Sequence, residues 1–278
     1  MNARLLRIVT VALAATPGAA GLASLRAEEA VPALARQVFE RHREAVVKVT
    51  GVAHIRLRAV GRSDLNMPER DDKVRADGTL VDAAGLVALS LSAIDPSRLV
   101  DGREANSPSG PIRVDASATL KELEIILGDG TEIPAVLVFK DEDLDLAFVR
   151  PKPDAPEARG LSFTPVDLAA AGSARTADYT VSVSRLDELF GNESSLVPGQ
   201  VSAVIERPRA FYLATNVARG CPMFTLDGKL LGIGIVRHRK TESGASMGNA
   251  IVPAAEVQKL VEQIPDKPAP EAAAAPAS

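Results

Sequence analysis

The chain has 278 residues, of which 46% are hydrophobic and 24% charged, with a formal net charge of -4. This composition excludes a disordered or fibrous chain and suits one large globular domain or two small ones. Aromatics are 3% with no Trp and the balance is mildly acidic, so neither a base-stacking surface nor electrostatic attraction to nucleic acid is expected. Cys221 is the single cysteine, which excludes an internal disulfide.

The first 27 residues have the layout of a secretory signal peptide. Arg4 and Arg7 precede an apolar run over residues 8–15, and small residues then lead to Ala27, where acids begin. Cleavage after Ala23 or after Ala27 fits the pattern equally; an uncleaved anchor is the alternative. The apolar run is shorter than the ~20 residues a membrane span needs, so no span is expected after cleavage. At the other end, residues 265–278 alternate Pro and Ala and cannot build a core, so a disordered tail is expected there.

The folded part is therefore residues 31–264. Leu34, Val38 and Phe39 have helical spacing in a lead-in helix over 32–43. Residues 45–57 are β-branched and suit a first strand, and a polar stretch with turn residues follows. Residues 76–94 read as two strands around a turn at Asp82 to Gly85, while 95–118 reads as a long polar connection without an element. Residues 123–139 form a hairpin with an Asp-Gly turn, and 144–151 continues as a strand. A Pro- and Ala-rich link over 151–170 divides the chain into two strand-rich halves. Strands resume at 179–186 and 199–207. Residues 222–235 form a second hairpin about Asp227-Gly228, with a basic loop, RHRK, at 237–240. A strand at 248–253 leads into a terminal helix over 254–264, whose Val257, Leu260, Val261 and Ile264 share one face. Many short strands at regular spacing with one closing helix argue for an antiparallel all-β protein.

Six segments resemble, in order, the protease domain of HtrA-type (DegP-like) trypsin-like serine proteases. They are AVVKVTG, DGTLVDAAGLVAL, LGDGTEIPAVLVFKDEDLDLAFVRP, PGQVSAVI, PMFTLDGKLLGI and GNAIVPAAEVQKLVEQI. The resemblance implies an all-β, two-barrel trypsin-like (chymotrypsin-type) fold with a C-terminal helix and an active site between the barrels.

That chemistry needs a Ser nucleophile, a His base, an Asp to orient the His, and backbone donors for the oxyanion. By the resemblance, Ser92 stands where the family has its His, Asp145 at the Asp position, and Arg219 at the Ser position, followed by Gly220 and Cys221. His42, His54 and His238 all align elsewhere. Only VARG separates the strand YLATN from CP, so the turn that presents oxyanion donors is shortened. Cys221 is out of register for a nucleophile and lacks a base, and its expected role is a small buried residue. The resemblance also places Gly248, Asn249, Ala250 and Ile251 beside a bound peptide, where an extended chain can pair with a strand edge. No metal-ligand spacing or phosphate-binding loop is present, and no cofactor is expected.

The sequence therefore favours a secreted or periplasmic pseudo-protease that binds a polypeptide or partner protein without cleaving it. The alternative is an active serine-type endopeptidase or hydrolase with a displaced or unusual catalytic residue. A third possibility is a structural envelope protein with no ligand.

Overall fold

The computed structural model describes residues 18–62, 65, 67–107, 110–241 and 244–265, with side chains outside 18–29 and 238–246. Residues 1–17 of the expected signal peptide and 266–278 of the expected tail lie outside the described residues. The first described element is helix α1 (Gly18–His42), which continues through Pro32 and starts well before the expected lead-in helix.

Seven strands follow: β1 (Val46–Ala59), β2 (Arg70–Leu80), β3 (Val87–Ser90), β4 (Glu104–Ser107), β5 (Gly110–Ile126), β6 (Glu132–Asp141) and β7 (Leu146–Pro151). They run in the order β1-β2-β3-β7-β6-β5-β4, and pairing of β1 with β5 closes six of them into a barrel with β4 outside it. The second barrel is closed by β8 (Tyr179–Arg185), β9 (Ser194–Ile205), β10 (Phe211–Ala214), β11 (Pro222–Thr225), β12 (Leu230–Thr241) and β13 (Gly244–Pro253), in the order β10-β13-β12-β11-β8-β9. Helix α3 (Ala254–Val261) closes the fold.

The uninterrupted apolar runs in β3 and β7 follow from where those strands sit. Side chains alternate across a strand, so a strand buried on both sides needs no polar face. Val87, Leu89, Ala147 and Val149 enter the first barrel's core. Ala88, Leu146 and Phe148 face the other way, into a cluster shared with Val181, Phe224, Ile233 and Ile235 of the second barrel. These strands are thus the wall between the barrels. Polar groups stitch the same boundary. The buried Lys48 ammonium lies 2.6 Å from Asp77 Oδ1 and donates to the Arg185 carbonyl at 2.7 Å. The Arg185 guanidinium in turn donates to the Val46 carbonyl at 2.5 Å.

Three sequence expectations are corrected. Residues 95–118 are not a bare connection: a short 3-10 helix (Pro96–Leu99), β4 and the first half of β5 lie there. Residues 91–94 form a helical turn, α2 (Leu91–Ile94), in place of the end of a strand. The RHRK run is not a loop; β12 extends through it, paired with β13 out to Thr241 opposite Gly244. In each strand case the ladder continues beyond the barrel, where no apolar face is required and hydrophobic alternation gives no signal.

At the base of the second barrel His42 stacks on Phe224, with ring centroids 4.1 Å apart. Burial, and then the charge of Arg41, hold its pKa below the ordinary 6.5. The unfolded chain therefore takes up this proton first as pH falls. The contribution to stability is complete above pH 6.5 and is lost below it, towards the lower folded pKa. Urea unfolding is expected to show stability falling as pH drops below 6.5, with a shallower fall in His42→Phe. Identical slopes in parent and variant would count against this assignment.

Candidate active site

Asp145 sits in the turn that enters β7, with φ of 56°, a left-handed conformation that Asp tolerates better than most residues. It is 2% exposed, and its carboxylate is surrounded by donors. Ser90 Oγ donates to Oδ2 at 2.5 Å and Ser92 Oγ at 3.1 Å. The backbone N–H of Ser92 donates to Oδ1 at 2.9 Å, and that of Val236, across the barrel boundary, to Oδ2 at 3.1 Å. Arg98 Nε lies 3.7 Å from Oδ1. An ionised carboxylate offers about four lone-pair sites. Three of the four hydrogen bonds fall on Oδ2 and one on Oδ1, the oxygen that Arg98 approaches, and no imidazole is among these partners.

The structure thus brings Ser92 and Asp145 into direct contact. Ser92 lies on α2 and is itself buried. Its hydroxyl does not titrate near neutral pH, so it cannot accept a proton as a histidine does. Arg219 lies in the turn between β10 and β11, exposed, and no hydrogen bond or ion pair among the described residues joins it to Ser92 or Asp145. The turn itself is bound to the first barrel: Thr79 Oγ1 donates to the Gly220 carbonyl at 2.8 Å. The Gly220 N–H donates to the Gly234 carbonyl at 2.7 Å, and the Cys221 N–H points to the Ala218 carbonyl at 3.4 Å. These bonds hold the turn that follows Arg219 against both barrels.

Cys221 is fully buried, with Sγ 3.3 Å from Asp77 Oδ2. Burial pushes its thiol well above the ordinary range, and the adjacent Asp77 carboxylate adds to the shift. The thiolate is the nucleophilic form, so this environment suppresses reactivity. Of the histidines, His42 stacks on Phe224, while His54 on β1 lies 2.6 Å from Asp71 and 3.0 Å from Glu69. His238 is on β12 opposite Met247.

Beside Asp145 opens a cleft of about 960 Å³. Gly248, Asn249 and Ala250 line it, together with Phe211, Val236 and Met247. Ile251 does not: it is fully buried in a small core with Val201, Met223 and Leu231. Sequence reasoning missed Ser90, Arg98 and the Val236 N–H as partners of Asp145. The separations are 55 residues to Ser90 and 91 to Val236, and no local pattern reports such contacts.

Residues 74–233 match the family model of the trypsin-like peptidase domain. This chain belongs to that family. The two closed barrels with Asp145 at their boundary are its fold. The chain is also similar to a probable periplasmic serine endoprotease, DegP-like, of Rhizobium meliloti (strain 1021), at 30% identity over 150 residues. The match covers 50% of this chain and 28% of that relative, so the chain spans less than a third of the relative's length. The HtrA-type resemblance carried by the sequence motifs agrees with both findings. Among the described residues no helix is long and apolar enough to cross a membrane, and no group of His, Cys, Asp and Glu side chains could hold a metal ion.

Proposed function

We propose that this trypsin-like domain is a secreted or periplasmic pseudo-protease that holds a polypeptide in the cleft between its barrels without hydrolysing it. The observation that carries the reading is the buried carboxylate of Asp145, which has serine hydroxyls and backbone amides as partners where a protease needs an imidazole. The exposed Arg219 supports it, because the position that carries the family's Ser nucleophile holds a guanidinium instead. The strand carrying Gly248, Asn249 and Ala250 supplies a backbone edge to which an extended peptide can add. In this reading residues 1–27 are a signal peptide, 31–264 the trypsin-like unit and 265–278 a tail.

Labelled casein is expected to bind the chain without being cut, and a fluorophosphonate probe is expected to label nothing. Turnover or labelling abolished by one Ser or Cys substitution would overturn the reading, and so would the absence of any polypeptide binding. The rival, an active hydrolase with a displaced base, draws on His238, two positions along β12 from Val236. Turnover lost specifically in His238→Ala would select it.

A further inference from the structure

We propose that the cleft beside Asp145 selects a polypeptide carrying an acidic residue next to a bulky apolar one, an inference that rests on the polypeptide-binding reading above. Three features of the cleft lead there. Its walls include the apolar side chains of Ile205, Phe211, Leu213 and Met247. One edge of β13 is open beside them. That strand pairs with β12 along its whole length, but on its other side it meets β10 only at Ile251 opposite Tyr212, among the described residues. An extended chain laid along this edge would present alternate side chains to the apolar walls.

The third feature is charge. The cleft's acids are already occupied. Glu142 lies 2.8 Å from Lys140 and 3.8 Å from Arg98, Asp143 lies 3.7 Å from Arg209, and Asp145 is buried and accepts from four donors. Two arginines are not matched in this way. The Arg237 guanidinium lies over the Phe211 ring, 4.7 Å from its centroid, and donates to the backbone carbonyl of Asp143. Arg103, half-buried, reaches from the first barrel to put Nη2 3.8 Å from Met247 Sδ, a weak acceptor. Neither has a carboxylate within ion-pair distance among the described residues. A guanidinium fixed by stacking offers a planar, pre-organised fork for a carboxylate. An acidic side chain gains charge-assisted hydrogen bonds there, whereas a basic one meets two like charges. Since Met247 lies beside Arg103 and lines the cleft with Arg237, the acid and the apolar side chain are read by neighbouring surfaces.

The test uses fluorescein-labelled short Gly/Ser peptides with one central Leu flanked by Glu, by Gln or by Lys, titrated against the full chain by fluorescence anisotropy. At low salt the Glu peptide is expected to bind about fivefold or more tightly than the Gln peptide, with the Lys peptide weakest. Arg103→Gln and Arg237→Gln together are expected to erase that preference, and Arg237→Gln alone to reduce it. Arg58→Gln, outside the cleft, is expected to leave it intact. Equal affinity for the Glu and Gln peptides, or a preference that survives the Arg103 and Arg237 substitutions together, overturns this inference and leaves the polypeptide-binding reading standing. Failure of every peptide to bind at about millimolar concentration overturns both.

Discussion

Replacing Asp145 with Ala is expected to lower the folding free energy by about 3–5 kcal/mol, read from urea unfolding. The cost comes from what the carboxylate holds. Its removal leaves the Ser92 and Val236 N–H groups without their acceptor in a buried site, along with the Ser90 and Ser92 hydroxyls. A buried donor left unpaired costs about 1–3 kcal/mol, and hydroxyls can recover part of this by rotating towards each other, since Ser90 and Ser92 Oγ are 3.2 Å apart. Asp145→Asn keeps the shape and one acceptor oxygen, so its cost is expected to be about half as large. The Val236 bond also crosses from one barrel to the other, so the loss loosens their boundary as well as the turn. A carboxylate kept only to orient a catalytic base would behave differently, changing turnover while leaving stability nearly untouched. Stability of Asp145→Ala within about 1 kcal/mol of the parent would remove the structural role assigned to this residue.

Gly220→Ala is expected to cost about 2–5 kcal/mol, from two separable sources. Its φ is +74°, a left-handed conformation in which a side chain costs about 1–2 kcal/mol. A Cβ there would also lie 1.9 Å from the Asp77 carbonyl oxygen, so backbone of one barrel must move away from the other. Overpacking of this kind adds about 1–3 kcal/mol. Gly130 separates the two contributions: its φ is +87°, yet nothing lies within 4 Å of its Cβ direction. Gly130→Ala should therefore show the conformational cost alone. Equal losses in both variants would mean that the turn carrying Arg219 does not press on the first barrel as described.

The sequence determined the features that depend on neighbours in the chain. Asp129-Gly130 and Asp227-Gly228 set both hairpins, because a tight turn and the alternation of its flanking strands are local properties. The order of the motifs then carried the two-barrel fold. Strands without an apolar face escaped detection. The outer part of β5 and the far half of β12 are polar because ladder hydrogen bonds, not burial, hold them. Tertiary structure alone decided how Asp145 is used. The donors from β3 and α2 meet it where β3 pairs with β7, and the Val236 N–H of β12 reaches it only when the second barrel closes against the first. It also decided that Ala250 and Ile251 are buried in cores while the exposed Gly248 and Asn249 line the cleft, and that Arg103 reaches a methionine 144 residues away. The physical reason is common to all three. A strand's pattern states which residues share a face, but what that face meets depends on a second barrel that is distant along the chain.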